Sequence, residues 1–375
     1  MHGDIERPTP SHGGAPTQHV DTSSSTHTPP MTSSPGRPLL LLFVSNDISK
    51  IVEESKHVAP IMVRMVHAIL EVFREGDEGY VYIGGHSEFF MSNIWFSFDQ
   101  GFGGAGFALS YPLVAAMVKD LEGCLRRYPY LNSADLITQY CVDELGVPLS
   151  AERGIHQIDL HGDISGFLSS HPQSPILSLH HFDQIEPIFP TMNRSQSANH
   201  LMKAAKTDQS RMLQQTICYQ KQTNWSFSIS WGYSAHIYEK VLPRSVLKRP
   251  LETFLPWLDL KHRPYYMFNT RWPPFVDSCE APHVFFFESI DSSVDSFEGH
   301  NQIVMTYVRS KPRGLPTCSL SGSHSADSIS KVRVFSLATK LPEIGRSECC
   351  DVVEVGDKNI TEIKIRTCKD DEIIA

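Results

Sequence analysis

The sequence predicts an α/β fold with a β-rich C-terminal region. Three observations point there. A short apolar run, LLLLFV, leads into a segment with a helix-start signature. Two amphipathic helical patterns follow between residues 110 and 146. Beyond residue 280 the chain reads as a series of short strands with little helical spacing.

Residues 1–38 are dominated by Ser, Thr, Pro, Gly and His, with almost nothing apolar to bury, so ordering them costs backbone entropy that no core offsets; a disordered arm is predicted. Residues 39–44 read as a buried strand, with Ser45 or Asn46 capping the helix after it. A second helix carries Ile61, Met65, Val66, Ile69 and Val72 on one face and closes at Gly76. YVYIGG and NIWFSF both read as strands, the second aromatic and running into the turn of FGGAGF. SYPLVAAMVKDLEGCLRRYP predicts one continuous helix, with Ser110 as its cap, Leu113, Met117, Leu121 and Leu125 as its stripe, and Pro129 ending it. SADLITQYCVDELG predicts another, from Ser133 to Gly146. After Arg153 the spacing predicts loop and strand, two β segments around KQTNWSFSISWGYS, and further strands at HVFFFESI, NQIVMTYV, KVRVFSLA, CDVVEV and EIKIRT. No internal repeat or heptad run is present.

Composition narrows the function. The formal net charge is −9, and no segment concentrates the Lys and Arg that a phosphate backbone requires, so nucleic acid is not an expected partner. The eight cysteines show no CxxC pair and no zinc spacing; their even number suits disulfides in an oxidising compartment. Asn-x-Ser/Thr sequons at Asn193, Asn224 and Asn359 are compatible with that location. The longest apolar stretch near the N-terminus, residues 39–44, is far below the roughly 20 residues of a membrane span, so no membrane anchor is expected. The polar opening MHGDIERPTP does not read as a signal peptide.

FGGAGFALSYPL strongly resembles the signature of the Fringe and β-1,3-glycosyltransferases, in which such a turn lies beside a sugar nucleotide. Glycine suits that place because backbone amides can approach a ligand with no side chain between. YIGG before the turn, and SADLITQYCVDELGVPLS, GIHQIDLHGDISGFLSSHP, LSLHHFDQIEPIFP and ISWGY after it, are similar in order to a plant Fringe-related family long catalogued as a domain of unknown function. The resemblance runs from about Ile48 to the C-terminus. It implies a GT-A-like nucleotide-sugar-binding sandwich over residues 39–250, followed by a β-rich accessory region over 251–375. It also implies transfer of a hexose or N-acetylhexosamine from a UDP-sugar to a glycan or glycoprotein acceptor, an Mn²⁺ ion on the diphosphate, and a place in the Golgi lumen.

On the matching positions, the resemblance assigns Gly103, Gly104, Ala105 and Gly106 to substrate binding, Asp135 to the catalytic base and His156 to the metal. A carboxylate in the first turn of a helix is held ionised by free N–H groups and the dipole, which suits a proton acceptor. His161, His180, His181 and Asp183 have irregular spacing and read as packing or turn residues. One part is missing. The resemblance places an Asp-Asp-Asp strand between two helices here joined only by KHVAPI, and its loss implies impaired turnover. The competing reading is a non-catalytic carbohydrate- or protein-binding module that stacks sugars on Trp225, Trp231, Tyr233 and Trp272.

Overall fold

The computed structural model describes residues 79–274, 276–294, 301–319, 325–338, 347–353 and 359–374. The arm, the strand at 39–44, both early helices and the missing acidic segment lie outside them. All described residues belong to one compact unit, 38–375.

The first described strand, β1 (Tyr82–Gly84), forms where YVYIGG predicts one. It pairs antiparallel with β2 (Ala108–Leu109) and parallel with β3 (Leu149–Ala151). A parallel pair needs a crossover, and the helices between β1 and β3 supply it. The predicted strand NIWFSF is instead the end of a helix, α1 (Phe90–Trp95). Local aromatic content loses there to side-chain bonds: Asn93 Nδ2 donates to the carbonyls of Ser87 and Phe89, and Ser92 Oγ donates to Asp159.

The continuous helix expected after the glycine turn is two, α2 (Tyr111–Val118) and α3 (Leu121–Arg127). Leu113 is buried as the stripe requires, but Leu121 and Leu125 are exposed beyond the break, and Cys124 turns inward to a disulfide with Cys141. Ser110 stands at the α2 cap position, yet its hydroxyl accepts from Val81 N–H rather than from its own helix. The next helix, α4 (Ala134–Asp143), follows its prediction: Ser133 Oγ accepts from Leu136 N–H, and Gly146 turns the chain at φ +72°.

Short strands β4 (Ile155–His156) and β5 (Leu160–Gly162) and helix α5 (Ser165–Ser170) come next, with β4 parallel to β6 (Ser178–Leu179). A helix absent from the sequence reading, α6 (Arg194–Thr207), follows. It opens on a capping box in which Asn193 and Gln196 satisfy each other's backbone N–H.

The largest element is an eight-stranded sheet in the order β14-β15-β13-β12-β11-β9-β8-β7. Its strands are β7 (Gln215–Gln220), β8 (Trp225–Ser230), β9 (Ser234–Tyr238), β11 (His283–Val294), β12 (Asn301–Arg309), β13 (Lys331–Leu337), β14 (Cys349–Val353) and β15 (Ile360–Arg366). The one-turn helix α7 (Arg244–Leu247) and β10 (Phe254–Pro256), which pairs with β5, interrupt it. Edge strands β7 and β14 lie against each other and are joined by the Cys218–Cys350 disulfide, so the sheet curls toward a barrel. Its strands come from both sides of residue 250, the expected boundary, and share one core. Three β segments rather than two fill the KQTNWSFSISWGYS region, because Gly232 at φ +76° turns β8 into β9.

Strands β12, β13 and β15 bury alternate residues such as Met305, Tyr307, Val332, Val334 and Ile363, as a one-sided sheet does. β8 and β9 are buried throughout, with α5 packed on β8 and α6 on the neighbouring β11. Among the described residues no helix is long and apolar enough to cross a membrane.

Candidate functional site

A cavity of about 260 Å³ lies where the glycine turn, α1, α4, the segment after β4 and the segment after β10 converge. Asp135 and Phe102 line it, so two separate sequence motifs meet there. Gly103 N–H donates to Asp135 Oδ2 at 2.8 Å. This contact explains the first glycine, since a Cβ at 103 would stand 2.3 Å from Asp135 Oδ1. A Cβ at 104 would stand 2.2 Å from His180, and Gly106 adopts φ +95°. Ala105 N–H donates to Gln157 Oε1 at 2.9 Å. The amides of Gly103 and Ala105, expected to reach a substrate, are thus bonded to Asp135 and Gln157 and fix the wall of the cavity.

Asp135 departs from its predicted electrostatics. Burial raises its carboxyl above the ordinary carboxylate value, and the Gly103 N–H pulls it only partly back. Its partner is the glycine turn rather than the amides of its own helix.

His156 is elsewhere. It is buried beside Phe167 and His171, its Nδ1 pairs with Glu88, and it does not line the cavity. Glu88 also accepts from Ile158 N–H, which anchors the segment. His156 Nε2 has no partner among the described residues.

His180 and His181, set aside in the sequence reading, meet Asp159, which that reading did not consider. Asp159, His180 and His181 bring one ligand atom each within 4.8 Å of one another. Asp159 Oδ2 accepts from Ser87 Oγ at 2.6 Å and Ser92 Oγ at 2.9 Å, while Oδ1 lies 3.3 Å from His181 Nε2 and accepts from Gln157. Burial pushes Asp159 up, but the bonds from His181, Ser87 and Ser92 outweigh it and hold the carboxyl below the ordinary value. Ile158, Asp159 and His181 all have positive φ, at 65°, 48° and 53°. For a β-branched residue such as Ile158 that backbone is strained, and such strain concentrates at functional sites. Burial, then the neighbouring His181, lowers His180 to about 4, so its imidazole is neutral at pH 7, and its buried Nδ1 has no partner among the described residues. Two imidazoles and a carboxylate suit a first-row transition ion such as Mn²⁺. The signal was present in GIHQID and LHHFD, but their spacing in sequence does not reveal that β4 and β6 are parallel neighbours.

Trp257 stacks on His181 with ring centroids 4.1 Å apart and on His161 at 4.4 Å. Of the aromatics considered for sugar stacking, Trp225, Trp231 and Tyr233 are buried in the core, and only Trp272 is exposed. A second acidic and imidazole group, Glu239, His283 and Asp327, already faces the Arg309 and Arg313 guanidiniums and reads as an internal ion network.

Fold and site together define an α/β protein whose carboxylate-and-imidazole pocket sits beside a curled β-sheet. Residues 92–350, more than half of the chain, match the family described as a protein of unknown function, DUF604, and the chain belongs to that family. No curated protein matches it.

Proposed function

We propose that the cavity is the site of a Fringe-like glycosyltransferase, taking a UDP-sugar and presenting a glycan or glycoprotein hydroxyl to Asp135. The observation that carries this reading is the Gly103 N–H to Asp135 bond, because the two motifs matched separately in sequence meet at one pocket. A half-buried carboxyl raised by burial is a better proton acceptor than an ordinary surface aspartate, and Gly103 orients it. Asp159, His180 and His181 would hold the divalent ion that His156 was expected to bind. When bound, such an ion neutralises charge on the departing diphosphate. Gln157 ties the glycine turn to Asp159, so one side chain links the two halves of the site. Turnover is low in this reading, because the sequence lacks the Asp-Asp-Asp strand.

The four disulfides, Cys124–Cys141, Cys218–Cys350, Cys279–Cys318 and Cys349–Cys368, support passage through an oxidising lumen such as the Golgi. Calorimetric titration with UDP, with and without Mn²⁺, tests the reading. Mn²⁺-dependent binding that weakens in His180→Ala is expected. Failure of UDP to bind under either condition overturns it, and turnover equal to that of a relative carrying the acidic motif overturns the claim of impairment.

A further inference from the structure

The cavity has two kinds of lining. Gln100, Asp135, Gln157 and Asp159 are polar, whereas Trp95, Phe96, Trp257 and Leu258 are apolar. Around the apolar residues the surface stays apolar: Ile94 is 48% exposed, Trp95 48%, Phe96 41%, Phe98 44% and Leu258 47%. Single exposed apolar side chains are ordinary, but four in five consecutive residues at a cavity mouth mark a contact surface. The rings are also braced. Trp95 sits edge-on to Phe89 at 6.0 Å, Phe96 to Phe102 at 5.9 Å and Phe98 to Phe90 at 6.3 Å, so a ligand would meet a preformed platform.

An independent observation lies in the polar lining. Gln100 is 1% exposed, and its Oε1 has no hydrogen-bond partner among the described residues. A buried carbonyl left without a donor is costly, and a ligand hydroxyl is the donor that would satisfy it.

We propose that the acceptor is a small glycoside with an aromatic aglycone, its aromatic ring stacked on Trp95 and Phe96 and a sugar hydroxyl donating to Gln100 Oε1. This rests on the glycosyltransferase reading and replaces its glycan or glycoprotein acceptor with a smaller one. A plain glycan would set a sugar face on the platform, which carries less apolar area than an aromatic ring, while an aromatic compound without a sugar would leave Gln100 Oε1 without a donor.

The test is calorimetric titration of the full chain with matched pairs of 4-nitrophenyl and methyl β-glycosides of glucose, galactose and N-acetylglucosamine, and with UDP in parallel. For at least one sugar the nitrophenyl glycoside should bind about tenfold tighter, the ratio that one aromatic stacking pair supplies. Trp95→Ala with Phe96→Ala should bring that ratio to about one, the nitrophenyl glycoside falling to the affinity of its methyl partner. Gln100→Leu should weaken both members of the pair and keep the ratio. Trp95→Phe retains a ring and should retain the preference, which separates lost stacking from lost folding. Absence of any nitrophenyl preference with UDP still binding overturns this inference alone. A preference that survives in the doubly substituted protein also overturns it. Failure of UDP to bind the unaltered chain instead overturns the glycosyltransferase reading.

Discussion

Gly103→Ala is the most informative single perturbation. The backbone at 103 is not left-handed, so alanine meets no φ penalty there, and any destabilisation must come from what its Cβ touches. That Cβ would lie 2.3 Å from Asp135 Oδ1, against the 3.4 Å of ordinary contact, so the carboxylate must retreat by 3.4 − 2.3, about 1.1 Å. A retreat of that size takes the 2.8 Å bond from Gly103 N–H out of hydrogen-bonding range. A bond to a charged acceptor contributes about 1.5–3 kcal/mol. For a half-buried carboxylate we take about 2 kcal/mol, which lowers the melting temperature by about 4 °C in a domain of this size. In an Asp135→Ala background neither the bond nor the collision exists, so Gly103→Ala should be neutral there, or stabilising by about 0.5 kcal/mol through reduced unfolded-state entropy. The double-mutant cycle, read by urea unfolding, should therefore give a coupling of about 2 kcal/mol. Equal costs in the two backgrounds would refute the contact and, with it, the observation on which the proposed site rests.

Other consequences are open to measurement. Removing Cys218–Cys350 by paired alanines opens a 132-residue loop, and removing Cys124–Cys141 opens one of 17, so chain entropy predicts losses of about 5 and about 3 kcal/mol; denaturant midpoints in the reverse order would contradict the pairing. Gly232→Ala combines φ +76° with a Cβ 2.5 Å from that of Ala204 on α6, and should cost more than about 2 kcal/mol of unfolding free energy. His180 has a folded pKa of about 4 against the ordinary 6.5, so the unfolded chain takes up the proton first. The His180 contribution to stability should then fall as pH drops from 6.5 toward 4 and level off below, since its folded form binds fewer protons in that window. His180→Gln should flatten that stretch of the pH–stability curve, and an unchanged slope in unfolding at pH 7, 5.5 and 4.5 would count against the buried, neutral assignment.

Much of the fold was legible because local signals agreed with the global answer. The strands β12, β13 and β15 alternate buried and exposed residues, and α4 carries both its Ser133 cap and its Gly146 stop. Where they disagreed, tertiary bonds decided. The aromatic segment at 94–98 reads as strand, but Asn93 and Ser92 bind it as the end of a helix. The α2–α3 pattern reads as one helix, yet the chain breaks before Cys124 and turns that residue to Cys141. Helix α6 had a legible start in Asn193 and Gln196, but its buried face holds Ser197 and His200, which blur the apolar stripe.

For the site, the sequence by itself determined the parts: a glycine turn that tolerates close approach, an aspartate in the first turn of a helix, eight cysteines that can pair, and histidines in two short motifs. Only the tertiary structure decided which of them come together. The parallel pairing of β4 with β6 sets His180 and His181 beside Asp159, while His156 turns inward to Glu88 and Phe167. The reason is physical: β4 ends at His156 and the chain then turns through positive φ at Ile158 and Asp159, so strand alternation does not carry past His156 and nothing in the spacing says which residues reach the cavity.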